Sequence, residues 1–90
     1  MAKVCKKVTY SGCVQGVGFR YTARQIAAGF EVAGYVCNLS NGNVELVAEG
    51  EEEAVARFLD AVAYRMRGYI QSVAVSDETA CGHRSFVIRH

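Results

Sequence analysis

Apolar and polar positions along this chain follow two periods, and the switches between them mark out the elements. Lys7-Val8-Thr9-Tyr10-Ser11 alternates and carries β-branched and aromatic side chains, the pattern of a strand with one buried face, so a first strand is predicted over residues 4–13. From Tyr21 the period lengthens. Ala23, Ile26, Ala27 and Phe30 recur at helical spacing, with Thr22, Arg24 and Gln25 on the other side. Gly29 is the expected C-cap of that helix, because glycine enters the left-handed conformation without a Cβ clash. Residues 32–39 and 43–49 read as two more strands, and the Asn41-Gly42 pair between them is a strong hairpin signal that makes them antiparallel neighbours. After Gly50, the acids Glu51, Glu52 and Glu53 stand where a helix dipole favours negative charge, and Val55, Phe58, Leu59, Val62 and Met66 form that helix's buried stripe. Gly68 is the expected stop, followed by a fourth strand over 69–76, a polar loop over 77–84 and a short final strand over 85–89.

This order predicts an α+β fold: a ferredoxin-like βαββαβ sandwich, two helices on one face of an antiparallel sheet, with a short C-terminal extra strand. Ninety residues without repeat, linker or low-complexity tract suit a single domain spanning residues 1–90. That plan hosts RNA binders, metal chaperones, ligand-sensing modules and enzymes, so function has to be read from particular residues.

The most informative stretch joins the first strand to the first helix: Val14-Gln15-Gly16-Val17-Gly18-Phe19-Arg20. Two glycines one residue apart let the backbone turn its N–H groups into one concavity, the helix N-terminus adds partial positive charge, and Arg20 adds a full one. A lone G-x-G is usually a tight turn whose arginine reaches solvent. Three anion-binding features within seven residues favour a small-anion site instead.

Composition removes several alternatives. The formal net charge is +1, with ten basic residues scattered among nine acidic ones, so no basic face for nucleic acid is indicated. Gly16-Val17-Gly18-Phe19 superficially resembles an RNA-recognition motif, but that motif lies on a central strand and this one precedes a helix. A dinucleotide loop would want glycine where Tyr21 stands, and a Walker loop would want Gly-Lys followed by Ser or Thr. No apolar run is long enough to span a membrane, and the amino-terminal residues lack a signal-peptide core. A cytoplasmic location is expected. Cys5, Cys13, Cys37 and Cys81 form no C-x-x-C pair, so free thiols are expected, with no disulfide framework and no metal site.

The runs Gly12 to Arg20 (G-x-V-Q-G-V-G-F-R), Gly34 to Asn38 (G-Y-V-x-N), Asn41 to Glu45 (N-G-x-V-E), Ala48 to Gly50 and Phe86 to Arg89 resemble, in order and over nearly the whole chain, the acylphosphatase family. The resemblance implies hydrolysis of the mixed anhydride of a carboxylic acid and phosphate, on a ferredoxin-like fold, without metal or cofactor. It implies that Arg20 binds the phosphoryl group, that Asn38 positions the attacking water, and that the loop of Gln15, Gly16, Val17, Gly18 and Phe19 cradles the phosphoryl oxygens through its backbone N–H groups. It further implies a small-molecule acyl phosphate as substrate, inorganic phosphate as product and inhibitor, no nucleic-acid or membrane partner, and a monomer. The sequence departs from the family's usual residues at Cys13, Tyr35, Cys37 and His90.

Elementary chemistry agrees with those roles. Phosphoryl transfer asks mainly for positioning and charge stabilisation, which a guanidinium fork and fixed N–H dipoles supply. An asparagine amide is not basic, yet it can orient a water by hydrogen bonds. The leaving carboxylate has a conjugate acid of pKa roughly 4, so no proton need be donated to it. Arg24, one turn after Arg20, reads more readily as a solvent-facing residue than as an anion ligand. His83 reads as a loop residue, and His90 as part of a fraying end. A non-catalytic or carrier-associated domain of the same fold, as found within larger carbamoyl-phosphate-processing maturation proteins, is the alternative; a start and end within ninety residues favours the free-standing enzyme.

Overall fold

A computed structural model describes residues 2–79 and 82–90. Its elements are β1 (Lys3–Gly12), α1 (Phe19–Ala27), β2 (Val32–Asn38), β3 (Val44–Glu51), α2 (Glu52–Arg65), β4 (Ile70–Asp77) and β5 (Phe86–Arg89). The five strands form one sheet in the order β4-β1-β3-β2-β5. β1 runs antiparallel to both β3 and β4, and β2 antiparallel to β3. β5 runs parallel to β2, with Cys37 opposite Arg89. The sheet is therefore mixed, which corrects the expectation of an antiparallel one. A parallel neighbour needs a long crossover, and α2 with β4 supplies it. The ferredoxin-like βαββαβ order, with its extra C-terminal strand, is as the hydrophobic pattern predicts.

Strand alternation sorts the side chains. Val8 and Tyr10 of β1, Val36 of β2, and Val44, Leu46 and Ala48 of β3 turn to the helix side. There they meet Phe19, Ala23 and Ala27 of α1 and Val55, Phe58 and Val62 of α2 in a single buried core. The other sheet face carries Cys5 and Val47, both 4% exposed. Part of the polar connection between β4 and β5 lies against this face. The N–H groups of Gly82 and His83 donate to the Glu49 carboxylate, and Thr79 and His83 line a cavity of about 240 Å³ with Cys5 and Val47.

Three local expectations change. α1 begins at Phe19, four residues before Ala23, the first apolar residue of the expected helical repeat. It ends without a left-handed cap: Gly29 has no positive φ, and the chain leaves through tighter turns in which the Gly29 N–H donates to the Ile26 carbonyl and the Phe30 N–H to the Ala27 carbonyl. In the β2–β3 hairpin only Gly42 takes a positive φ, of 93°. The Gly42 N–H donates to the Leu39 carbonyl, and the Leu39 N–H to that of Asn43. That is a type I turn closed by a left-handed glycine, with the Asn41 side chain accepting from the Asn43 N–H. Asn-Gly makes the hairpin here through the Asx turn and one glycine instead of through two residues at positive φ.

Candidate active site

The glycine loop is pinned at both ends and on its flank, which leaves its middle exposed. Val14, after β1, is fully buried, and Phe19, the first residue of α1, is 2% exposed. The Phe19 ring packs on Tyr10 with centroids 4.9 Å apart. Val17 packs partly against the core. The Gln15 side chain donates from Nε2 to the carbonyls of Leu39 and Asn43, both at 2.8 Å, which ties the loop to the hairpin that follows Asn38. Gly16 and Gly18 take φ values of 78° and 77°. A Cβ on either would meet no atom within 4 Å, so glycine is required here by backbone conformation and not by crowding.

Gly18 is the N-cap of α1 in the left-handed conformation; no side chain caps the helix, and its first turn holds no acid. The Thr22 N–H reaches the Gly18 carbonyl at 2.9 Å, so the N–H groups before it lack intrahelical acceptors and remain open to an anion. Beside them is a depression of about 100 Å³ lined by Val14, Gly16, Gly18, Phe19, Arg20, Tyr21 and Asn38. Arg20 and Asn38, distant in sequence, thus share one concavity with both glycines. Gln15 and Val17 are not among its lining residues: Gln15 braces the loop, and Val17 anchors it.

Arg20 is half-buried and donates from Nη1 to Nδ1 of His90 at 3.2 Å. A guanidinium is only a donor, so Nδ1 accepts and the proton of a neutral His90 sits on Nε2. Sequence reasoning gave His90 no role. The parallel register of β5, which sets Arg89 opposite Cys37, is what brings residue 90 to Arg20, and no local pattern signals it.

Strand alternation turns Tyr35 and Cys37 to the sheet face opposite Val36 and Asn38. Tyr35 donates its hydroxyl to Glu45 at 2.7 Å and lies under the Arg89 guanidinium, 3.8 Å from ring centroid to Cζ. Burial first, then the hydrogen bond to Glu45, pushes its phenol up to about 12. Burial, then the Glu45 carboxylate, raises the Cys37 thiol against the opposing pull of Arg89 and Arg20, so no thiolate nucleophile forms there at neutral pH. Cys13 and Cys37 are free thiols; the expectation for Cys81 falls outside the described residues. Among the described residues no three His, Cys, Asp or Glu side chains group as metal ligands, and no helix is long and apolar enough to cross a membrane.

The acylphosphatase family pattern matches residues 6–88. This chain belongs to the acylphosphatase family. Its enzymes are hydrolases acting on acid anhydrides, and the chain is one of them. The acylphosphatase of Thermotoga maritima is 41% identical over 85 residues, 93% of this chain and 94% of the relative. The crystal structure of acylphosphatase from Bacillus subtilis superposes with a TM-score of 0.87 at 32% identity, covering 97% of this chain and 99% of that one. Full-length HypF, in a phosphate- and nucleotide-bound form, matches 99% of this chain with a TM-score of 0.87 at 25% identity, over 12% of its own length.

Proposed function

We propose that this acylphosphatase hydrolyses an acyl phosphate by in-line attack of a water held by Asn38 on a phosphoryl group held by Arg20 and the loop over residues 15–19. The observation that carries the proposal is the single depression shared by Gly16, Gly18, Arg20 and Asn38. Phosphoryl oxygens accept from the free N–H groups of the loop and first helical turn, while the Arg20 fork takes two more. Both sets of donors are fixed before substrate arrives, so they stabilise the charge that builds on the equatorial oxygens without reorganising. The Asn38 side-chain oxygen accepts a hydrogen bond from the water and aims its lone pair at phosphorus. The bond from water oxygen to phosphorus forms as the bond to the acyl oxygen breaks, and the electron pair leaves on the carboxylate. The water's proton passes to a phosphoryl oxygen of the substrate, since Arg20 and Asn38 are not bases.

The test is phosphate release from acetyl phosphate and benzoyl phosphate by the purified chain in the presence of EDTA. Turnover with competitive inhibition by inorganic phosphate is expected. Phosphate binding without turnover would instead favour a binding module, the reading that the match to a small part of the much longer HypF chain supports.

A further inference from the structure

We propose that the groove beside α1 is the acyl subsite, and that Arg24 selects acyl phosphates whose apolar acyl group carries a second anion at its far end. The proposal rests on the catalytic reading of Arg20 and Asn38 and extends it from the phosphoryl group to the rest of the substrate. Size is the first argument. The depression holding Arg20 and Asn38 encloses about 100 Å³. A liquid water occupies about 30 Å³, so a phosphoryl group and its attacking water fill that space and the acyl group lies outside it. The adjoining groove, of about 820 Å³, is lined along α1 by Tyr21, Arg24 and Gln25, and reaches Phe30 and Phe86.

Continuity is the second argument. Tyr21 lines both spaces. It is 59% exposed, so its ring stands at the threshold between them. The rings of Phe30 and Phe86 give the groove an apolar wall, held in place by packing on Phe58, with centroids 6.1 and 5.3 Å apart. Charge is the third. Among the described residues no acidic side chain lines the groove, and Arg24 is the sole charged one. Among the described residues no carboxylate pairs with Arg24, so its guanidinium is available to a ligand. Arg24 follows Arg20 by one helical turn, about 6 Å along the axis. A two-carbon acyl group ends short of that distance, whereas an aryl or longer alkyl group bearing a terminal carboxylate spans it.

Acetyl phosphate, benzoyl phosphate and 4-carboxybenzoyl phosphate form a series that separates these features. Wild type is expected to show its lowest KM for the carboxylated substrate. Arg24→Gln should raise that KM about fivefold, the upper end for an exposed ion pair, against less than about twofold for acetyl phosphate. Tyr21→Ala should raise KM for both aryl substrates over that for acetyl phosphate, whatever their charge. A KM change in Arg24→Gln that is equal across all three substrates, or a Tyr21→Ala variant with unaltered aryl preference, would overturn the subsite while leaving the catalytic reading standing. No turnover of any of the three by wild type would overturn the catalytic reading and the subsite with it.

Discussion

Arg20 and Asn38 share a depression, and the proposed mechanism gives them different parts of the reaction, so on that proposal they should fail differently when replaced. Arg20→Lys keeps a charge and loses the planar fork, so it should weaken phosphate inhibition and lower kcat/KM together, and Arg20→Ala more so, by a factor on the order of a thousand. On the same proposal Asn38→Ala removes a contact to water and none to phosphate. Its kcat should fall on the order of a hundredfold with the phosphate inhibition constant much less changed. Circular dichroism beside the kinetics would show both variants folded, since neither side chain is in the core. An Asn38→Ala enzyme that turned over normally, or that lost phosphate as completely as Arg20→Ala, would remove the water-holding role. These two residues were legible as candidates because each stands at a fixed place in a run of family-like residues. The Gln15 side chain was not: a glutamine beside a glycine could face solvent equally well, and only the fold shows its amide bridging the carbonyls of Leu39 and Asn43.

At the scale of elements, the close approach of β2 and β3 at Gly34 makes the sharpest prediction. Gly34 has a φ of 140°, and a Cβ there would lie 1.9 Å from the Val47 carbonyl oxygen. It pairs with Ala48 on one side and Phe86 on the other, so neither neighbouring strand can move aside without opening the sheet. Gly34→Ala should therefore cost about 3 kcal/mol or more, from backbone strain and overlap together. Gly42→Ala, at a φ of 93° but with no atom within 4 Å of its Cβ, carries the strain alone and should cost about 1 to 2 kcal/mol. Urea titration of both variants would measure the difference; equal losses would mean that the sheet relaxes around residue 34. Local patterns foretold the strands and helices themselves, because each buries one face and so alternates or repeats accordingly. They could not foretell that β5 adds to β2 in parallel, since that register is set by where α2 and β4 return the chain.

The whole molecule has a raised tyrosine on each side of its sheet, and this sets its response to alkali. Tyr10 is 1% exposed on the helix side, and burial holds its phenol above the ordinary value. Tyr35 lies on the other face, pushed up to about 12 by burial and then by its bond to Glu45. Both groups release protons more readily in the unfolded chain, where a tyrosine titrates near 10. Their contribution to stability is accordingly complete below about pH 10 and is lost as pH rises toward 12, where the unfolded state binds fewer protons than the folded one. Lys6, raised chiefly by its hydrogen bond to Asp77, loses stabilisation in the same direction. Urea midpoints measured from pH 8 to pH 12 should thus fall steeply above pH 10. In Tyr35→Phe the midpoint at pH 8 will shift with loss of the Glu45 bond, but the decline between pH 10 and 12 should be shallower, because Tyr10 and Lys6 remain and the Tyr35 proton is gone. A decline parallel to that of wild type would mean that Tyr35 ionises without opposing the fold, and that the face closed by Arg89 and His83 opens to solvent before alkali unfolds the sheet.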